Sequence, residues 1–487
     1  MKPLQSTLAA VGLAGSALVA IAAPRALDDP VVHWWYGSGL AIGHRLAVWL
    51  LYAGMAILCC AWLALGRSLP ARPALLAIMV AWTLPLALAP PLFSRDVYSY
   101  LAQGTILHLG HNPYHTAPSA LAALHRPHVL AAVSPFWRHT TAPYGPLFLG
   151  AVALVVAVTG SHLVGGVLLV RAVELLGLVL LTVVMPRLAR ALGSDPARAL
   201  WLVALSPLTL LQLVAAGHND LLMAGLLAAG LAVALSGLPL LGIAVCALAA
   251  TIKLPALAGV GFIVVAWLRA ERSASARVRF VLVAAALTVV VLGAVTLATG
   301  AGAAWLSSSL FSTPARVRLA ITPATGVGYT AAAVLHALGV AVSVRGLEGV
   351  LVVVTAGLAA AAGAVLLWRV RIATLATSLG AFLVLAAVCG PAAWPWYFAW
   401  GLVALAPLCA VQRAVAPAIA LAVGALLVKP DGILALPISS APAVLAVYAL
   451  LAALAVRAWR RHLASGRAPA GATAVHEPAP ATLARTI

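Results

Sequence analysis

Residues 92–147 read LFSRDVYSYLAQGTILHLGHNPYHTAPSALAALHRPHVLAAVSPFWRHTTAPYGPL. The chain on either side is mostly hydrocarbon: 64% hydrophobic and 8% charged overall, with mean hydropathy +1.10. Such a composition excludes a soluble globular protein and requires many membrane spans. An insertion of about fifty polar and aromatic residues between apolar runs is either functional or disordered. Its aromatic content argues against disorder. It also holds one acidic residue, Asp96. The spacing therefore predicts an all-α integral membrane protein in which residues 92–142 form a long catalytic loop and the remainder is scaffold.

Apolar runs long enough for a membrane helix recur from 6–24 to 441–457, and residues 1–24 are read as an uncleaved first helix. The net charge of +19 comes largely from short basic clusters between these runs. Arg67/Arg72, Arg187/Arg190/Arg198, Arg269/Arg272/Arg277/Arg279, Arg369/Arg371 and Arg457/Arg460/Arg461 fall on one side if the runs 143–160 and 327–341 are re-entrant. Half-helices of that kind are tolerated where they are buried in protein. That is the positive-inside pattern, so no nucleic-acid partner is expected. It predicts a polytopic domain over 1–461 with about 13–15 transmembrane helices, and a disordered cytoplasmic tail over 462–487. The 92–142 loop, the 217–220 turn, Lys253, the 300–326 loop and the 391–397 turn then share the extracytoplasmic face of the plasma membrane. The five cysteines (Cys59, Cys60, Cys246, Cys389, Cys409) lie in apolar runs without metal-ligand spacing. No metal site, nucleotide loop or transporter-type internal repeat is read.

Ten acidic residues are few enough to serve as a filter. Asp96 follows Arg95 and precedes Tyr98 and Tyr100, so a carboxylate walled by aromatic rings is poised as general base on a hydroxyl; the alternative is an Arg95–Asp96 surface pair. Asp220 follows His218 and Asn219 at a helix start, where it reads either as an N-cap or as a binding residue. Glu174 lies one turn from Arg171, an i,i+3 pair inside an apolar helix that is either functional or structural. Lys253 is a phosphate-binding point charge or a snorkelling cation. Trp394, Trp396 and Tyr397 suit sugar stacking, or simply the membrane interface. Asn112-Pro113-Tyr114 and Ala142-Pro143-Tyr144-Gly145-Pro146-Leu147 are turn signals first.

Ser94-Arg95-Asp96-Val97-Tyr98-Ser99-Tyr100, Ala102-Gln103-Gly104, Asn112-Pro113-Tyr114, Trp137-Arg138 and Ala142–Leu147 together resemble the actinobacterial polyprenol-phosphomannose-dependent α-1,6-mannosyltransferases. Gly217-His218-Asn219-Asp220, Lys253-Leu254-Pro255 and Pro395-Trp396-Tyr397 resemble the later motifs of that family, in the same order; Trp394 stands where relatives often carry His. The resemblance implies a GT-C-type bundle, a polyprenyl phosphomannose donor, and a mannosylated phosphatidylinositol or related glycolipid acceptor. It further implies inversion with Asp96 as base and no cofactor or obligatory metal. Lys253, Arg95, Arg138 and His218 would bind the donor phosphate. Tyr98, Tyr100, Gln103, Asn112, Tyr114, Tyr144, Asn219, Asp220, Trp394, Trp396 and Tyr397 would line the substrate. The competing expectation is a transporter or flippase for a lipid-linked precursor.

Overall fold

The computed structural model describes residues 1–27, 31, 35, 42–311, 321–390, 393–409, 415–426, 428–429, 438–450 and 453. The tail over 462–487 and the Arg457/Arg460/Arg461 cluster lie outside them, as do parts of the runs 398–413, 415–434 and 441–457. The described residues are α-helical with no strand. Helices α1 (Pro3–Ala26), α2 (His44–Leu65) and α3 (Arg72–Leu88) precede the 92–142 region. That region is itself folded into α4 (Asp96–His108) and the short α5 (Pro127–Ala132). Then follow α6 (Pro146–Thr159), α7 (Leu163–Ala191), α8 (Pro196–Val203), a π-helical segment Leu208–Ala215, α9 (Asp220–Leu235), α10 (Pro239–Ala250) and α11 (Leu257–Ala270). The chain continues through α12 (Ala274–Thr299), α13 (Trp305–Phe311), α14 (Pro323–Ala337), α15 (Val344–Arg369), α16 (Leu375–Cys389), α17 (Ala399–Cys409) and α18 (Val415–Leu426).

Among the described residues, six helices are long and apolar enough to cross a membrane: α1, α2, α7, α12, α15 and Ile372–Cys389. Their surfaces explain why the solvent must be lipid. Only Phe280 and Ala284 of α12 are buried, while Val281, Leu282, Val289, Val290 and Leu297 stand exposed. A long helix that is apolar all round and exposed is stable in hydrocarbon, not in water. Seven shorter apolar helices, α6 among them, accompany these within the described residues. At about 1.5 Å per residue, α6 (14 residues) and α14 (15 residues) fall short of a core about 30 Å thick.

The span α8 plus Leu208–Ala215 bends by 48° at its break. Pro207 there supplies no backbone N–H. The Val203 carbonyl is taken instead by the hydroxyls of Ser206 (3.1 Å) and Thr209 (2.6 Å), the kind of substitute that lets a broken helix stay buried. Trp62 and Trp201 lock α2 to α8: the rings stack at 4.7 Å and each indole N–H donates to the other's backbone carbonyl.

Helices α7 and α9 meet at glycine. A Cβ on Gly177 would collide with the Leu221 carbonyl, and one on Gly225 with the Gly177 carbonyl. Close backbone approach of this kind is how helices gain packing contact in a membrane. Gly177→Val is expected to destabilise the protein by about 1–3 kcal/mol through overpacking, read as a lower thermal midpoint in detergent. An unchanged midpoint would mean that the two helices separate at no cost.

Candidate active site

Two loop segments are tied together before any side-chain chemistry begins. Leu92 N–H donates to Ala215 O (3.1 Å), joining the end of the α3 connection to the end of the π-helical segment. From α7, Arg171 clamps the same junction, donating through Nη1 to Ala87 O (2.8 Å) and Ala89 O (2.6 Å) and through Nη2 to Ala215 O (2.8 Å). Those hydrogen bonds run across to neighbouring carbonyls, and both Glu174 oxygens lack a hydrogen-bond partner. The sequence pair thus acts chiefly through Arg171 as a structural clamp. Phe93, buried at φ +65, and Gly217 at φ +69 reverse the two chains. The left-handed region costs a non-glycine residue about 1–2 kcal/mol, and at Phe93 the clamp and full burial hold it there. Ser94 Oγ accepts from Asp96 N–H (3.0 Å) and opens α4.

These reversals bring Asp96 to His218. Asp96 Oδ2 lies 3.6 Å from His218 Nε2, with the Asp96 side chain 14% exposed and His218 wholly buried. His218 Nδ1 lies 2.5 Å from Gln212 O. The ring stacks on Trp396 (3.9 Å, 24°), which in turn stacks on Trp394 (4.8 Å, 11°). Burial opposes ionisation of the Asp96 carboxyl, but His218 when its ring carries a proton on Nε2, the Ser94 hydroxyl and the Lys253 charge outweigh it and hold the group below its ordinary value. Asp96 is therefore a carboxylate at neutral pH. Burial first, then neighbouring charge, pushes the phenols of Tyr100 and Tyr144 up, so neither serves as a base.

The contact chain continues without a gap. Trp396 meets Tyr397 edge-on (6.0 Å), and Tyr397 stacks on Trp400 (4.4 Å). Lys253 Nζ sits over both rings, 4.7 and 5.5 Å from their centroids. It also grips both oxygens of the fully buried Asp220, at 2.9 and 2.8 Å, and Trp400 Nε1 donates to Asp220 Oδ1 (2.5 Å). Asp96, His218, Trp396, Lys253 and Asp220 thus form one cluster although they span three hundred residues of chain.

Several expectations change. Arg95 and Asp96 do not pair: Arg95 Nη2 donates to Ala132 O (2.6 Å). Arg138 holds Val133 O (3.1 Å) and Ala131 O (3.3 Å). Both guanidiniums therefore cap the carbonyl end of α5, where cations are favoured. His218 has its Nδ1 on a carbonyl and its Nε2 turned towards Asp96 at 3.6 Å, beyond hydrogen-bond distance. Lys253 is charge-paired. Each of the four residues expected on a donor phosphate thus has a contact within the protein, and Lys253 keeps one N–H beyond its two bonds to Asp220. Asp220 is no N-cap, because its carboxylate turns away from the α9 backbone towards Lys253 and Trp400. Asn112 and Tyr114 shape the loop: Asn112 Oδ1 accepts from Tyr114 N–H (2.8 Å), Asn112 Nδ2 reaches Ala301 O (3.0 Å), and Tyr114 Oη reaches Tyr144 O (2.9 Å). Tyr98 and Tyr100 are core residues; Tyr100 packs edge-on against Tyr144 (4.8 Å) and Phe148 (4.9 Å). Gln103, buried, bonds Ser99 Oγ (3.4 Å) and leaves Oε1 unpartnered, as does Asn219 with both amide atoms. Buried unpartnered polar atoms are rare in proteins, and Asn219 lies between His218 and Asp220 of the cluster.

Trp400 and Gln212 escaped the sequence reading. Trp400 follows Trp396 by four residues, the helical neighbour spacing; the Gln212 contact is through its backbone and leaves no sequence signal. An almost wholly apolar cavity of about 510 Å³ runs between α11, α15 and α16, from Ala258 and Gly390 to Leu367. Gly145 N–H and Leu147 N–H donate to Ile252 O (2.9 Å) and Thr251 O (3.0 Å), which seats the 92–147 region directly beside Lys253.

The model of the alpha-(1->6)-mannopyranosyltransferase N-terminal domain matches residues 5–269. The chain is 35% identical to alpha-(1->6)-mannopyranosyltransferase A of Mycobacterium tuberculosis over 87% of its own length and 84% of that protein's. It is 32% identical to a probable alpha-(1->6)-mannopyranosyltransferase of Mycolicibacterium smegmatis (81% and 78% covered). It is 27% identical to alpha-(1->6)-mannopyranosyltransferase B of Corynebacterium glutamicum (83% and 72%). No solved structure matches. A family match over more than half of the chain, and relatives aligned across most of it, place this protein in the alpha-(1->6)-mannopyranosyltransferase family.

Proposed function

We propose that the protein transfers mannose from polyprenyl phosphomannose to the 6-hydroxyl of a mannosylated phosphatidylinositol or related glycolipid, on the extracytoplasmic face of the plasma membrane. The observation that carries the reading is the Asp96 carboxylate, held ionised at the start of α4 and facing His218 within a wall of aromatic rings. Asp96 removes the proton of the acceptor hydroxyl. The oxygen attacks the anomeric carbon as the bond to the lipid phosphate breaks, in one displacement that inverts configuration and needs no covalent intermediate. Lys253 spends two of its three N–H donors on Asp220; the third remains for a phosphate oxygen. Trp394 and Trp396 hold the His218 ring by stacking, which leaves Trp396 no free face for a sugar, and the apolar cavity between α11, α15 and α16 suits a hydrocarbon tail. No divalent metal is required in this scheme.

Membranes containing the protein, given labelled polyprenyl phosphomannose and a short α-1,6-mannoside, are expected to form a longer α-1,6-linked product, equally with and without EDTA. Absence of product from folded protein would remove the donor assignment, and loss with EDTA would remove the metal-free mechanism.

A further inference from the structure

We propose that His218 is the proton-holding partner of Asp96: the proton taken from the acceptor hydroxyl passes through the Asp96 carboxylate to His218 Nε2, and the ring serves no phosphate. The inference rests on the catalytic reading of Asp96 above and extends it to a second residue.

The ring's tautomer follows from its neighbours. A backbone carbonyl only accepts, so the 2.5 Å contact with Gln212 O fixes the hydrogen on Nδ1. In the neutral ring Nε2 is then a lone pair. That lone pair faces Asp96 Oδ2 at 3.6 Å, is buried, and has no hydrogen-bond partner. Nε2 is therefore a vacant proton acceptor aimed at the carboxylate that takes the hydroxyl proton. Stacking on Trp396, itself stacked on Trp394, prevents the ring from turning either nitrogen elsewhere. A phosphate-binding histidine needs a free N–H, and neither nitrogen offers one.

The surroundings leave the pair in control. From α4, Asp96 is the direct charged neighbour, with Tyr100 beside it and Tyr144 facing it from the loop. Lys253, from the turn before α11, acts on the Asp96 carboxylate but is matched by Asp220. Glu174, from α7, lies against Gly217, the residue before His218. The balance is simple. The acceptor O–H bond breaks, its proton arrives on Asp96, and Nε2 accepts it, so that Asp96 ends as a carboxylate and His218 as an imidazolium. The oxygen's electron pair forms the new bond to carbon, and the lipid phosphate departs with the pair of the broken one. The imidazolium proton is released to water before the next turnover.

The test is the pH dependence of kcat/KM for wild type and His218→Gln. If the pair must be proton-free to act, the wild-type acid limb lies above about pH 5, clear of an ordinary carboxylate at about 3.9. His218→Gln is then expected to lower kcat by about ten- to a hundredfold, to leave the donor KM within about twofold, and to move the limb down towards the carboxylate range. A wild-type limb already in the carboxylate range overturns the proposal, and that result does not depend on the variant folding. So does a variant whose kcat falls while its limb stays in place, or one whose donor KM rises with kcat kept. Failure of the underlying reading looks different: wild type would transfer no mannose, or Asp96→Asn would remain active.

Discussion

Asp96→Asn is expected to reduce mannose transfer by about 10²- to 10⁴-fold, the usual contribution of a general base, with protein level and thermal midpoint nearly unchanged. The substitution is close to isosteric and the side chain is partly exposed, so little packing is lost. What disappears is proton affinity: an amide cannot take the hydroxyl proton, and it leaves His218 Nε2 without an anionic neighbour. Labelled transfer measured at equal protein concentration separates the two effects. An active Asp96→Asn would take the base role from Asp96, and Asp220 would be a poor replacement. Three donor contacts, two from Lys253 and one from Trp400, already occupy its carboxylate.

Lys253→Met is expected to destabilise the protein by about 3–5 kcal/mol, because it strands the wholly buried Asp220 carboxylate. Asp220→Asn should cost a similar amount by leaving the ammonium without its anion, although Tyr397 and Trp400 still face it. The double variant Asp220→Asn/Lys253→Met should recover a large part of the loss, since neither charge is then left buried alone. Thermal unfolding of all four proteins in one detergent forms a double-mutant cycle, and residues in direct contact show coupling in such a cycle. Single variants that kept full stability and lost only donor affinity would make Lys253 a dedicated phosphate ligand instead of half of a structural pair.

The two predictions differ because the two carboxylates do. Both begin a helix, both follow a basic or histidine-containing motif, and in sequence they are equivalent candidates. In the folded protein Asp220 is matched and sealed, whereas Asp96 retains a partly exposed oxygen-bearing face and a single histidine neighbour. Sealing makes one a strut, and access makes the other a reagent.

Composition alone determined that this chain lives in a bilayer, because 64% hydrophobic residues cannot be hidden from water in any soluble fold. Motif order determined the family, and the lone acid of the 92–147 stretch singled out Asp96. Periodicity and length picked out the long helices. The tertiary structure alone decided what each cation faces. Lys253 and Asp220 lie 33 residues apart, Arg95 and Ala132 lie 37 apart, and His218 is oriented by the main chain of Gln212. A motif records residue types, but the function of a charge depends on its nearest opposite charge or dipole. That neighbour is set by helix packing and by backbone carbonyls, which every residue carries alike and which therefore leave no mark in the sequence.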